Sequence, residues 1–100
     1  MKRGIIMNYL EIIIYGIQKI ADHIFSQFGA KAIIHAEEKE NPFGGNPEYI
    51  VEVIFYYKDC WDGQKKFRMQ PASESFEMFG NRIKAYLFEH LDYVVGRLTH

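Results

Sequence analysis

The chain has 100 residues, 12 of them basic and 13 acidic, for a net charge of −1; 48% of it is apolar and 16% aromatic. That length fits one domain with its own core, and that composition excludes low-complexity disorder. The near-neutral total gives no electrostatic footprint for nucleic acid or an anionic membrane, and the single cysteine, Cys60, rules out an intrachain disulfide and makes a reducing cytoplasm the expected compartment.

The N-terminal "MKRGIIM" has the basic start of a signal peptide, but Asn8 and Glu11 soon break its apolar run, no small-residue cleavage site follows, and Met7 is a candidate alternative start. No apolar run approaches the length of a membrane span. From Asn8 to Phe28, Leu10, Ile13, Ile17, Ile20, Ile24 and Phe28 recur at steps of three and four, which predicts an amphipathic helix capped by Gly29. Gly16, inside the pattern, points to close approach of a neighbouring element.

Lys31 to Glu40 reads as a strand whose end is solvated, and "NPFGGNP" (Asn41 to Pro47) as a loop. Glu48 to Cys60 is the strongest strand, rich in β-branched and aromatic residues. Asp62-Gly63 suits a two-residue type I′ turn, and Gln64 to Gln70 forms the return strand, ended by Pro71. A second helix follows, with Ser73 as N-cap, Glu74 and Glu77 at its positive end, Arg97 near its negative end, and Phe76, Phe79, Ile83, Leu87, Leu91, Val94 and Leu98 as its apolar face. The expected fold is a single α+β domain over residues 1–100: helix, three-stranded antiparallel sheet, helix, with both helices on one sheet face.

Counting outward from an Asp62-Gly63 turn sets Asp59 opposite Lys66 and Tyr57 opposite Arg68. In that register Ile50, Ile54, Tyr56, Phe67 and Met69 face the helices, joined by Ala32, Ile34 and Ala36, with Glu52 as a misfit. Val51, Val53, Phe55, Tyr57 and Trp61, with Ile33 and His35, form the outer face, rimmed by Lys66, Arg68, Asp59 and Glu37. An apolar face left bare by two helices resembles an interface. The reading is therefore a non-enzymatic protein-interaction module that binds another protein, or itself as a homodimer. It contacts its partner through Val51, Val53, Phe55, Tyr57 and the Trp61 hairpin, with Phe43 in the loop as a third contact. Small accessory proteins and viral or phage inhibitors have this character.

The layout is similar to that of double-stranded RNA-binding domains in element order alone. The lysine cluster with which that family grips phosphates at the last helix is replaced here by "ASESFEMFGN", with Glu74 and Glu77, and its Gly-Pro-His loop has no counterpart in "NPFGGNP". Nucleic-acid binding through Lys58, Lys65, Lys66 and Arg68 is the alternative function, and a small metal-dependent enzyme built on His35, His90 and carboxylates is the second alternative. "HAE" (His35 to Glu37) lacks the paired cysteines of a zinc deaminase. The four histidines, His23, His35, His90 and His100, show no i, i+4 pairing. "EEKE" (Glu37 to Glu40) points its carboxylates to opposite sides of a strand. Hydroxyl nucleophiles reduce to Ser26, Ser73, Ser75 and Thr99, and Cys60 has no histidine near it in sequence. No metal, cofactor or catalytic residue is expected from these patterns.

Overall fold

In the computed structural model, which describes residues 4–70 and 73–98, the chain forms α1 (Gly4–Ser26), β1 (Ala30–Lys39), β2 (Glu48–Tyr57), β3 (Cys60–Arg68) and α2 (Phe76–Leu98). This is the expected α+β order, with an open antiparallel sheet ordered β1-β2-β3. Pro71, Thr99 and His100 lie outside the described residues.

On α1, Leu10, Ile14, Ile17, Ala21 and Phe25 are buried, again at steps of three and four. The buried stripe is rotated from the expected one: Ile14 and Ala21 lie beneath the helix, while Ile20 turns outward. Gly29 closes the helix at φ 71°, a conformation that costs glycine nothing. The N-cap of α2 is Ser75 rather than Ser73, because the Ser75 Oγ accepts the Met78 amide at 3.1 Å. Glu74 instead accepts the Gln70 amide and pairs with Arg82 at 2.7 Å, which clips the β3–α2 connection.

The helices lie side by side and run in the same direction. Tyr9 meets Phe76 and Glu77 near both starts, and Phe25 meets His90 toward both ends. Gly80 permits their close approach: a Cβ there would lie 3.0 Å from the Ile13 Cγ2. Both helices cover the same sheet face. Phe25 of α1 and Tyr86 and His90 of α2 all pack on Phe55, and Tyr86 also packs on Phe67.

The β2–β3 register differs from the sequence-based one. The tight turn is Lys58-Asp59, with φ 51° and 67°, and Tyr57 pairs with Cys60 across it. Asp62-Gly63 forms a bulge inside β3: Tyr56 pairs with Trp61 and Phe55 with Gly63, leaving Asp62 as the extra residue. Lys66 therefore opposes Glu52 rather than Asp59, and Arg68 opposes Ile50 rather than Tyr57. This shift inverts β2. Val51, Val53 and Phe55 are sealed under the helices at 0%, 0% and 1% exposure, whereas Glu52, Ile54 and Tyr56 face away from them.

The physical reason lies in the two alternating sets of β2. Tyr49, Val51, Val53, Phe55 and Tyr57 carry no charge, while the other set contains Glu52, whose burial would need a partner. Burying the uncharged set also brings Ala30, Ala32 and Ile34 of β1 and Phe67 of β3 onto the same side, where all four are buried.

Candidate interaction surface

The helix-free face of the sheet is built by pairing across the three strands. Lys31, Tyr56 and Trp61 form one row, Ile33, Ile54 and Gln64 the next, then His35, Glu52 and Lys66, then Glu37, Ile50 and Arg68. Ile33, His35 and Trp61 occupy this face as expected. Val51, Val53 and Phe55 do not: they are core, so they cannot touch a partner. Tyr57 is half-buried on the helix side, with its ring 4.3 Å from the Arg97 guanidinium.

Trp61 is 62% exposed at the hairpin end of this face. Its indole Nε1 donates to the Gln64 Oε1 at 3.1 Å, and the Gln64 Nε2 donates to the Glu52 Oε2 at 3.0 Å. Two polar side chains thus fix the orientation of a large apolar one that stays mostly exposed. Beside it, Ile54 and Tyr56 are half-buried and Ile33 is exposed. Farther along, Arg68 pairs with Glu48 at 3.1 Å, and these long side chains flank Ile50, which is only 5% exposed. A shallow groove of about 490 Å³, lined by Asp22, Ser26, Lys31, Tyr56, Lys58 and Asp59, continues the face toward the end of α1.

The bulge is what separates Trp61 from its neighbour. Asp62 points to the helix side, where its Oδ2 meets the Arg97 Nη2 at 2.5 Å and the His90 Nε2 at 3.1 Å. Gly63 faces the same side without a side chain to compete. Burial pushes Asp62 up, but hydrogen bonds from Arg97 and His90 outweigh it and hold the carboxyl below its ordinary range. Burial drives His90 below its ordinary value, partly offset by Asp62. The neutral ring lies flat on Phe55, with centroids 3.6 Å apart.

An Asp–His pair can orient a general base, and with Nε2 bonded to Asp62 the base nitrogen here would be Nδ1. Among the described residues no hydroxyl or thiol bonds to the His90 ring, and the Asp62–His90–Arg97 trio ties β3 to α2.

His35 lies on the helix-free face and His90 on the opposite one, so the two cannot share a site. No cluster of three metal-ligating side chains occurs among the described residues. The basic group is divided as well. Lys66 and Arg68 lie on the helix-free face, Lys65 covers the Phe67 and Tyr86 rings on the other, and Lys58 sits in the turn over Tyr57.

Phe43 is 96% exposed at the β1–β2 loop, anchored by the Asn41 Oδ1 accepting its amide at 3.0 Å. That loop and the Trp61 hairpin occupy opposite ends of the 10-residue β2, so Phe43 and Trp61 do not form one patch. Among the described residues, no helix is long and apolar enough to cross a membrane. Comparison of the chain with protein-family models, curated proteins and solved structures finds no match.

The exposed apolar side chains of the helix layer escaped the sequence reading. Tyr9, Ile12, Tyr15 and Ile20 on α1 and Met78 and Phe88 on α2 are all more than 40% exposed. The signal was present: Ile12, Ile13 and Ile14 are consecutive, and a helix can bury only part of such a run.

Proposed function

We propose that this protein is a non-enzymatic protein-interaction module of the cytoplasm that docks a foreign protein on the helix-free sheet face, with Trp61 as the anchor and Ile33, Ile54 and Tyr56 as its apolar surround. The observation that carries this reading is Trp61, held outward by Gln64 and exposed over most of its surface. Tryptophan is enriched among the residues that dominate binding energy.

The charges around it favour a protein over nucleic acid. Lys31, Lys39, Lys66 and Arg68 share the face with Glu37, Glu48 and Glu52, so positive and negative groups are interspersed. A polyanion needs one sign, whereas a protein surface tolerates a mixed rim. An accessory or inhibitory role would follow from occupying a partner's surface.

The test is affinity capture from the cells that make the protein, with the wild type and Trp61→Ala as baits. A discrete partner retained by the wild type, and bound about thirtyfold or more weakly by Trp61→Ala, supports the reading. Capture of nucleic acid alone, lost when Lys66 is changed to Glu, would replace it with the alternative.

A further inference from the structure

We propose that the groove between α1 and α2 seats a second copy of this chain, with the two helix layers packed face to face about a twofold axis that crosses the helices over Gly16 and Gly80. The groove holds about 320 Å³, with Ile13, Gly16 and Ile20 on one bank and Glu77, Gly80 and Lys84 on the other. It lies on the side of the molecule opposite the Trp61 face, so this inference does not rest on the proposed function.

The two glycines differ. Gly80 is used within the chain, because the space its side chain would occupy is filled by Ile13. Gly16 is exposed in the middle of a 23-residue helix, with nothing within 4 Å of where a Cβ would stand. Glycine there costs helix stability relative to alanine, and among the described residues nothing uses the missing side chain. An approaching backbone would use it. Around this notch Ile12 and Ile20 are 67% and 41% exposed, which leaves apolar surface facing water.

The spacing of the groove residues identifies the occupant. Ile13 precedes Gly16 by three positions and Ile20 follows it by four; Glu77 and Lys84 stand in the same relation to Gly80. The helices run in the same direction, and Gly80 sits beside Ile13 and Ile17, within about one 5.4 Å helical turn of Gly16. A twofold axis across both therefore lays each helix antiparallel on its own copy. Ile13 then meets the partner's Ile20, and Glu77 meets the partner's Lys84, with axial offsets that match within about one 1.5 Å residue rise. Opposite charges meet twice and apolar side chains meet twice. The Tyr9 hydroxyl donates to Glu77 and holds that carboxylate on the groove rim, which lowers the ordering cost of the pair.

Sedimentation equilibrium of the full chain tests this arrangement. The wild type is expected to dimerise. Glu77→Lys and Lys84→Glu, each setting like charges together twice, are expected to weaken the dimer about tenfold or more. An equimolar mixture of these two variants restores both opposite-charge pairs in a heterodimer and should recover wild-type association. A merely structural defect would not be rescued by mixing, and if one variant fails to fold the other carries the same prediction. Trp61→Ala should leave the dimer intact. A wild type that stays monomeric at the highest concentrations, a dimer indifferent to both charge reversals, or one abolished by Trp61→Ala would overturn the proposal.

Discussion

Asp62 of β3 and Arg97 of α2 are joined at 2.5 Å across 35 positions of sequence, and that contact fixes where the hairpin sits against the last helix. The Arg97 guanidinium is also enclosed by the Tyr57 and Tyr93 rings, at 4.3 and 4.5 Å. The pair is shielded on one side only, Asp62 being 16% exposed and Arg97 31%. Asp62→Ala should therefore cost roughly 1–3 kcal/mol, between a surface pair and a buried one. Urea unfolding measures it; a loss below about 0.5 kcal/mol would mean the contact holds nothing together.

The same cluster makes stability pH-dependent. His90 is depressed in the fold below its ordinary 6.5, so the unfolded chain takes up a proton first as the pH falls and the native state loses ground below that value. Asp62 is also depressed, below its ordinary 3.8; its contribution is complete above that pH and is lost as the pH falls through the folded value. Both groups act in the same direction, toward weakening in acid. Thermal melts from pH 7 to pH 5 should show a falling midpoint in the wild type and a flatter profile in His90→Phe. Equal slopes in the two proteins would remove His90 as the source.

The turn assignment gives a test of opposite sign to the sequence-based register. Lys58 and Asp59 both occupy the left-handed region, where glycine is free and lysine is strained. Asp59→Gly should stabilise the hairpin or leave it unchanged within about 1 kcal/mol. Gly63→Val should destabilise it, since φ at Gly63 is 127°. If Asp59 instead belonged to a strand, glycine there would weaken the fold.

The element order, the strand identities and the single-sided helix layer were legible in the sequence, because periods of 2 and 3.6 are properties of local chain geometry. The outward set of β2 was not legible through turn chemistry. Asp-Gly is a strong turn signal, yet it is also what a bulge requires when its aspartate has distant partners in Arg97 and His90. Glu52 carried the correct answer, since a charge within the supposed core set marks that set as the exterior. Of the expected contact residues, Trp61 stands where it was placed, while Val51, Val53 and Phe55 turn inward together because one register shift reverses a whole strand.

Gln18 shows what periodicity alone cannot see. Its Nε2 donates to the Ala32 carbonyl at 2.7 Å and its Oε1 accepts the Ile34 amide at 2.8 Å, so one side chain of α1 occupies the free edge of β1 as a neighbouring strand would. Gln18→Ala should cost about 1–3 kcal/mol and speed hydrogen exchange at the Ile34 amide. Unchanged exchange there would show the edge to be protected by something else.

The docking face is tested most directly by recording methyl and indole NMR spectra of the protein while its captured partner is titrated in. The Ile33 and Ile54 methyl signals and the Trp61 Nε1–H signal should shift or broaden, with Ile12 and Ile20 left in place. Perturbation confined to Ile12 and Ile20, with Trp61 unmoved, would contradict the account.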